Sequence, residues 1–203
     1  MKDMLKLAVQ TYNKIAKIYS EHTYGKVVQY QATKFMSLLK GKKILDVGCG
    51  SGRDVEYFLH EGYEPIGIDL SEKMLLEARK RVKAKNVFKK MDFTDLKFKE
   101  ETFDGVWAMA ALYHIPRKNV TDVLRGFNKV LKKKGLIYIA VEEGEGQKEV
   151  KEAKYDNEPR PFTYFNEKEM HDFLYEAGFK IIGSEVNDTN ETKWIEIFAR
   201  KEE

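Results

Sequence analysis

The sequence predicts an α/β fold, in which a mostly parallel β-sheet carries helices on both faces. Over most of the 203 residues, short apolar runs alternate with stretches of helical spacing, which is the pattern of strands joined by helical crossovers. The apolar run at 44–47 leads into a turn with Gly48, Gly50 and Gly52 at alternate positions. Glycines in such a turn let the backbone leave a buried strand and come close to a ligand.

The first 40 residues predict a helical cap (1–40), and residues 41–141 predict the core of the fold. In the cap, apolar side chains recur with helical spacing over 3–19, and a second helix is predicted from Val27 to Leu39. Ser71 is the predicted N-cap of a core helix. In chain order the core is expected to contain a strand at 43–47, a helix at 53–62, a strand at 64–69, a helix at 71–84, strands at 86–90 and 103–108, a helix at 117–131 and a strand at 135–141.

Two further segments complete the same single domain. Residues 142–165 are polar and contain glycine and proline, which predicts a loop or lid that can also contact an acceptor. Residues 166–203 predict a helix and then a hairpin, with strands at 179–187 and 192–200 and a turn at Asn187-Asp188-Thr189-Asn190. A chain of 203 residues suits one α/β core and is short for two domains.

Composition excludes several classes of protein. The single cysteine, Cys49, excludes an intramolecular disulfide and a cysteine-rich zinc site, and no metal is expected. No apolar run approaches the length of a membrane span and the N-terminus lacks the apolar core of a signal peptide, which predicts a cytoplasmic protein without a membrane partner. A net charge of +3 with 34% charged residues indicates a solvated surface. The abundance of lysine and glutamate is compatible with a thermophilic source.

The glycine turn and a nearby acid together predict a nucleoside site. A second apolar run, at 65–68, ends in Asp69, which is well placed to accept two ribose hydroxyls. A dinucleotide fold needs Gly-x-Gly-x-x-Gly, but here the third glycine comes one residue early and Arg53 stands in its place. No Gly-Lys-Ser/Thr of a phosphate-binding loop follows. A ligand with a ribose and no phosphate remains, and S-adenosylmethionine is the common one.

Later segments follow in the order that is typical of one family. In addition to the glycine turn, these segments are 91–93, 103–108, 111–116, 136–141, 165–167 and 176–179. Over residues 42–200 the chain therefore resembles the class I S-adenosylmethionine-dependent methyltransferases, in their small, single-domain, type 11/25-like form. The resemblance implies a Rossmann-like sheet of seven strands with the last strand antiparallel. It also implies S-adenosylmethionine as the methyl donor and S-adenosylhomocysteine as its product.

The resemblance further implies cofactor-binding residues at the ends of the first four strands. The glycines would bring main-chain groups to the methionine part of the donor, Asp69 would accept from the ribose, and Asp92 would accept from the adenine amino group. The full set is Asp46, Gly48, Cys49, Gly50, Gly52, Asp69, Leu70, Met74, Asp92, Phe93, Met109 and Ala110.

Several of these residues also have a structural interpretation that the sequence leaves open. Glycines at alternate positions occur in ordinary turns. Asp69 can be an acid that stabilises a helix N-terminus, and Asp92 can be a simple turn aspartate. Met74 can equally belong to the core.

His114 follows the fourth strand and is the candidate for a catalytic general base. Its alternative is a structural histidine that packs against or caps the turn before Pro116. Arg160 can pair with an acidic acceptor or lie on the surface. Residues of the cap and of segment 142–165 are the candidates for covering the donor and shaping the acceptor site: Tyr12, Tyr19, Tyr24, Arg160, Phe162 and Tyr164.

The predicted reaction is methyl transfer by direct displacement to a small-molecule acceptor. Residues 108–111 lack the Asn/Asp-Pro-Pro-Tyr/Phe motif by which amino-directed nucleic-acid methyltransferases resemble one another, so nucleic acid is not the expected partner. A protein- or RNA-directed methyltransferase and a non-catalytic S-adenosylmethionine-binding module remain open alternatives. The sequence identifies neither the acceptor nor the oligomeric state.

Overall fold

A seven-stranded β-sheet organises the structure, a computed structural model that describes residues 2–26, 28–189 and 192–202. Three short 3₁₀ helices within these ranges lie at Leu112–His114, Arg117–Asn119 and Ala153–Tyr155. In chain order the other elements are α1 (Lys2–Thr23), α2 (Gln29–Leu38), β1 (Lys43–Val47), α3 (Arg53–His60), β2 (Glu64–Asp69), α4 (Glu72–Arg81), β3 (Phe88–Lys90), β4 (Phe103–Met109), α5 (Val120–Val130), β5 (Leu131–Glu142), β6 (Gln147–Val150), β7 (Arg160–Thr163), α6 (Glu167–Glu176), β8 (Phe179–Asp188) and β9 (Lys193–Lys201).

The strand order of the sheet is β3-β2-β1-β4-β5-β9-β8. Strands β1 to β5 are parallel, and β9 runs antiparallel to both β5 and β8. This confirms the predicted fold class, a mostly parallel Rossmann-like sheet of seven strands whose last strand is antiparallel. The strand order reverses between β1 and β4. The carboxyl ends of β1, β2, β4 and β5 therefore meet at one edge, where open α/β sheets bind ligands.

Each face of the sheet has its own hydrophobic core, because successive side chains of a strand point to opposite faces. Ile44 and Trp107 belong to the core on the α2 and α3 side, whereas Leu45 and Val106 belong to the core on the other side. The Trp107 ring stacks on Tyr138 with the ring centroids 4.1 Å apart, and both rings are fully buried. Trp107 is therefore a core residue.

Most predicted elements are present, with ends that shift by a few residues. Ser71 is confirmed as the N-cap of α4, because its Oγ accepts the N–H of Met74 at 3.2 Å. The strand predicted from residue 135 begins earlier, because Leu131 already pairs with β4 before the register shifts. Val27, at the start of the predicted second helix, and Asn190, in the predicted hairpin turn, lie outside the described residues.

The loop prediction for residues 142–165 is wrong, because much of this segment is an ordered ribbon. β6 and β7 pair antiparallel, from Gln147 opposite Thr163 to Val150 opposite Arg160. The residues of β6 are mostly exposed, but all four residues of β7 are buried. Thr163 Oγ1 donates to the carbonyl of Ile115 at 2.7 Å, which ties the ribbon to the turn after β4. Polar composition concealed this because only one strand of the ribbon faces the core.

Gly105 in β4 lies beneath α2, where a methyl group has no room. A Cβ there would come within 2.6 Å of Phe35 Cζ and 2.7 Å of Leu39 Cδ2. We expect Gly105→Ala to lower the free energy of unfolding by about 1–3 kcal/mol, the cost of overpacking a core, as measured by urea denaturation. Gly126→Ala in α5 is the control, because its Cβ meets nothing within 4 Å, and we expect it to be stabilising. Equal effects of the two substitutions would contradict this packing of α2.

Candidate active site

The carboxyl edge of the sheet opens into a cavity of about 540 Å³, a size typical of small-ligand sites. One side, which we call the glycine wall, follows β1 and β2 and consists of Asp46, Gly48, Cys49, Gly50, Asp69 and Met74. The other side, which we call the aromatic wall, consists of Tyr12, Tyr19, Tyr113, His114, Tyr155 and Trp194. Leu70, Phe93, Met109 and Ala110 also line the cavity, as the sequence predicts.

The glycine turn adopts the left-handed backbone conformation that its three glycines favour. The φ angles are +67° at Gly48, +52° at Gly50 and +80° at Gly52. A Cβ on Gly50 would come within 3.2 Å of Met74 Cε, so Met74, which is 1% exposed, packs directly against the turn. A Cβ on Gly52 would lie 2.7 Å from Phe88 Cζ, so Gly52 is needed for packing against β3 and does not line the cavity.

Asp69 ties the glycine turn to the start of α4. Its Oδ2 accepts the N–H of Gly50 at 3.0 Å, and its Oδ1 accepts the N–H of Ser71 at 2.7 Å. Burial raises the pKa of Asp69 to about 6, against the opposing effect of these backbone hydrogen bonds. Because a carboxylate can accept more hydrogen bonds than the backbone supplies here, Asp69 keeps acceptor capacity for a ligand in the cavity.

Two neighbouring carboxylates on this side differ in their partners. Asp54 is fully engaged, because its Oδ2 accepts from Trp107 Nε1 at 2.9 Å and its Oδ1 accepts from Arg53 Nε at 2.7 Å. Asp46 is 3% exposed, and its Oδ2 has no hydrogen-bond partner within the described ranges. Burial, followed by the negative charge of Asp54, raises the pKa of Asp46. A cationic or N–H-donating ligand group would satisfy this buried oxygen.

His114 connects the cap to the ribbon through both ring nitrogens. Its Nδ1 lies 2.9 Å from the carbonyl of Pro161, and its Nε2 lies 3.2 Å from the hydroxyl of Tyr12. Because a carbonyl only accepts, Nδ1 carries the proton, and Nε2 accepts from Tyr12. Burial lowers the pKa of His114 to about 4, so the ring is neutral at physiological pH. The buried, doubly hydrogen-bonded ring agrees with a structural role, and its free-base nitrogen also agrees with a catalytic one.

Arg160 is not a surface residue, contrary to one of the two sequence interpretations. Its side chain is 6% exposed and forms an ion pair with Glu152. The guanidinium carbon lies 4.7 Å from the ring centroid of Tyr155. Arg160 is the first residue of β7, and all four residues of this strand are buried. The ribbon therefore places the positive charge of Arg160 on the cavity lining.

Two predicted binding residues do not line the cavity and make local contacts. Asp92 Oδ1 accepts from both the backbone N–H and the hydroxyl of Thr94, at 2.8 and 2.7 Å, in a turn after β3. Tyr24 donates its hydroxyl to Glu56 at 2.6 Å near the surface. These contacts agree with the alternative that the sequence left open for Asp92, that of a turn aspartate, and its role in binding stays a prediction.

Phe162 and Tyr164 do not line the cavity either. Phe162 is 2% exposed and packs against Tyr113 with the ring centroids 4.3 Å apart, so it supports the aromatic wall from behind. Tyr164 follows β7 on the ribbon, where Lys148 Nζ lies 5.5 Å from its ring centroid.

The structure also brings in residues that the sequence did not single out. Glu142 ends β5 at the carboxyl edge, and the same rule that points to β1, β2 and β4 could have indicated it. Tyr113 comes from the short helix that also carries His114. Nothing in the local sequence indicates that Tyr155 lines the cavity, because it lies in a polar segment. Trp194 reaches the cavity from β9.

No group of three or more histidine, cysteine, aspartate or glutamate side chains in the described part of the chain could hold a metal ion. Residues 2–26, 28–189 and 192–202 also contain no helix that is both long and apolar enough to cross a membrane.

The doubly wound sheet and the glycine wall define a protein of the nucleoside-binding α/β class.

Known proteins share this fold and part of this sequence. Residues 44–135 match the sequence family described as a methyltransferase domain. The chain is 29% identical over 122 residues to methyltransferase GfsG of Streptomyces halstedii, covering 57% of this chain and 43% of that protein. It is 33% identical over 108 residues to the ubiquinone biosynthesis O-methyltransferase of Photobacterium profundum, covering 50% of this chain and 44% of that protein.

A solved structure is similar over nearly the whole fold. It is the 1,6-didemethyltoxoflavin-N1-methyltransferase of Burkholderia thailandensis with bound 1,6-didemethyltoxoflavin and S-adenosylhomocysteine. The TM-score is 0.73 at 21% identity, covering 96% of this chain and 85% of that one. The matched part of the chain spans less than half the length of the two curated relatives. The chain therefore has the fold of S-adenosylmethionine-dependent methyltransferases, and its sequence matches a methyltransferase domain over residues 44–135.

Cys49 in the glycine wall is expected to be chemically inert in the folded protein. Its side chain packs against Gly67, and burial, followed by the charge of Asp46, raises the pKa of its thiol. Because the thiolate is the reactive form, we expect no reaction with Ellman's reagent at neutral pH and release of one equivalent after unfolding in guanidinium chloride. Rapid modification of the native protein would contradict the burial of this side chain.

Proposed function

We propose that this protein transfers a methyl group from S-adenosylmethionine to a small-molecule acceptor. The observation that carries the proposal is that one cavity joins the glycine wall to the aromatic wall. A donor on the first and an acceptor on the second would lie side by side, and α1 would cover both. The relatives' names support a small acceptor, since one refers to ubiquinone biosynthesis and another to 1,6-didemethyltoxoflavin.

The glycine wall fits the donor group by group. Asp69 keeps acceptor capacity beyond its backbone hydrogen bonds, which suits the ribose hydroxyls. Asp46 keeps a buried oxygen without a described partner, which suits the ammonium of the methionine part. Leu70, Met74 and Phe93 supply apolar surface for the adenine. When bound, S-adenosylmethionine supplies a methyl group on a positively charged sulfur, and the protein contributes alignment and exclusion of water.

His114 is the proposed general base for an acceptor that must lose a proton. Its Nε2 is unprotonated and lies on the cavity wall beside Tyr12, so a proton can pass to it directly or through the tyrosine hydroxyl. The lowered pKa makes it a weak base, because proton uptake is most efficient when the pKa lies near the working pH.

The alternatives have less support. A non-catalytic S-adenosylmethionine-binding module would need only the glycine wall, whereas this cavity continues past it to an aromatic wall. For RNA, Arg81 at the end of α4 is occupied by internal contacts, because its Nε donates to Ser20 and its guanidinium lies over the ring of Tyr24. A protein acceptor has no specific observation in its favour. A cytoplasmic location and a thermophilic source stay predictions from composition.

Asp69→Asn tests the donor site. The substitution keeps the shape of the side chain but removes its charge and one acceptor oxygen, so we expect about tenfold or greater loss of affinity for S-adenosylhomocysteine by calorimetry. Asp95→Asn is the control, because Asp95 is an exposed aspartate whose partner in the described part of the chain is the exposed Lys97. If the unmodified protein binds neither S-adenosylmethionine nor S-adenosylhomocysteine, the proposed function is wrong.

His114→Ala tests the base. We expect about a 10²-fold lower rate of labelled methyl transfer from S-adenosylmethionine into the small-molecule fraction of a cell extract, the lower end for general-base catalysis. Donor affinity should stay within about twofold, because His114 does not belong to the glycine wall. His60→Ala is the control, since the His60 side chain is 83% exposed. A rate that is unchanged at every pH would remove His114 from the mechanism.

A further inference from the structure

Arg160 enters the cavity region with part of its hydrogen-bonding capacity unused. A terminal nitrogen pairs with Glu152, but Nε is buried and has no hydrogen-bond partner in the described ranges. The guanidinium carbon lies 4.7 Å from the ring centroid of Tyr155 and 5.0 Å from that of Phe162. Aromatic rings on the guanidinium faces hold it in place, and no side chain in the described ranges satisfies its buried Nε.

Glu142 is a second charged group on the cavity wall without a described partner. It is the last residue of β5, at the carboxyl edge of the sheet, and it is neither fully buried nor fully exposed. Its carboxylate makes no hydrogen bond or ion pair with residues 2–26, 28–189 or 192–202. Burial raises its pKa, and the positive charge of Arg160 acts in the opposite direction. A carboxylate in this position needs a donor or a cation to offset the loss of water.

The charged residues beside the aromatic wall place positive charge at one position and negative charge at another. Glu152 pairs with Arg160 and also with Lys154, whose Nζ lies 2.7 Å from Glu152 Oε1. Two cations therefore share one carboxylate, which leaves an excess positive charge around Arg160 and an unpaired negative charge at Glu142. A ligand with one charge only would match one of these places and leave the other unpaired in a partly desolvated wall.

The rings near Glu142 favour a cation beside it. Trp194 lies opposite Glu142 in the β5–β9 pairing, and the ring of Tyr113 lies 6.3 Å from that of Trp194, centroid to centroid. Ring faces attract ammonium groups, and the carboxylate adds a direct charge. The same cavity wall also holds the free-base nitrogen of His114, which can take a proton from such a group.

We propose that the acceptor is a small zwitterion, an amine that carries a carboxylate or phosphate group. Glu142 holds the amine, and Arg160 with Lys154 holds the anion. The proposal rests on the proposed function and deepens it, because it makes nitrogen the atom that receives the methyl group and makes Glu142 a residue that determines specificity.

The test uses matched probes on the full chain saturated with S-adenosylhomocysteine. The probes are 2-aminoethylphosphonate and β-alanine as zwitterions, ethylphosphonate and propionate as anions without the amine, and ethylamine as the amine without the anion. Each is titrated by calorimetry up to about 10 mM, above the usual range of enzyme KM values. We expect at least one zwitterion to bind about tenfold tighter than both of its truncated partners. The phosphonate and carboxylate arms show which anion is preferred.

Glu142→Gln is expected to remove the preference for the amine, so that a zwitterion and its anion partner bind equally. Glu143→Gln is the control, because this neighbouring glutamate does not line the cavity. Binding of S-adenosylhomocysteine is measured first in all three proteins, and failure there would concern the proposed function or the fold, not this inference. If that binding is intact, the inference is overturned by no zwitterion binding, by tighter binding of a singly charged probe, or by an unchanged amine preference in Glu142→Gln.

Discussion

The left-handed turn after β1 is the constraint on which the rest of the site depends. With φ positive at three alternate glycines, the N–H of Gly50 points at β2 and donates to Asp69. The other oxygen of Asp69 accepts from Ser71, and Ser71 caps α4. One carboxylate thus fixes the ends of two strands and the start of a helix relative to one another. A Cβ at the turn would strain the backbone and disturb all three.

The same chain of contacts continues into the cap. Ser71 Oγ donates to Asn13 Oδ1 at 2.8 Å, and Asn13 is the neighbour of Tyr12 in α1. On its other side α1 is held by the ribbon, because Thr11 Oγ1 donates to the carbonyl of Pro159 at 2.6 Å. The helix therefore bridges the two walls of the cavity and sets Tyr12 against His114. Covering a reaction site in this way excludes water and holds the reacting groups in line.

Negative charge is concentrated where the ligand would lie. Asp46, Asp69 and Glu142 all line the cavity, and burial raises the pKa of each. Carboxylates that lose water without gaining a full set of partners lower the stability of the folded chain, and such groups are concentrated at functional sites. A donor with a sulfonium and an ammonium group would supply the missing positive charge. The arrangement thus suits the bound state better than the free one.

The sequence by itself determined the sheet, the glycine turn and Asp69, because strand alternation and positive φ make demands that residue type and spacing satisfy locally. Only the tertiary structure decided which polar residues face the cavity. Asp92 Oδ1 accepts two hydrogen bonds within its own turn, whereas Glu142 has no described partner, and nothing in their local sequence separates the two cases. The local sequence also did not indicate the ribbon that buries Arg160. Which side of a polar strand is buried depends on what packs against it, and those neighbours come from distant parts of the chain.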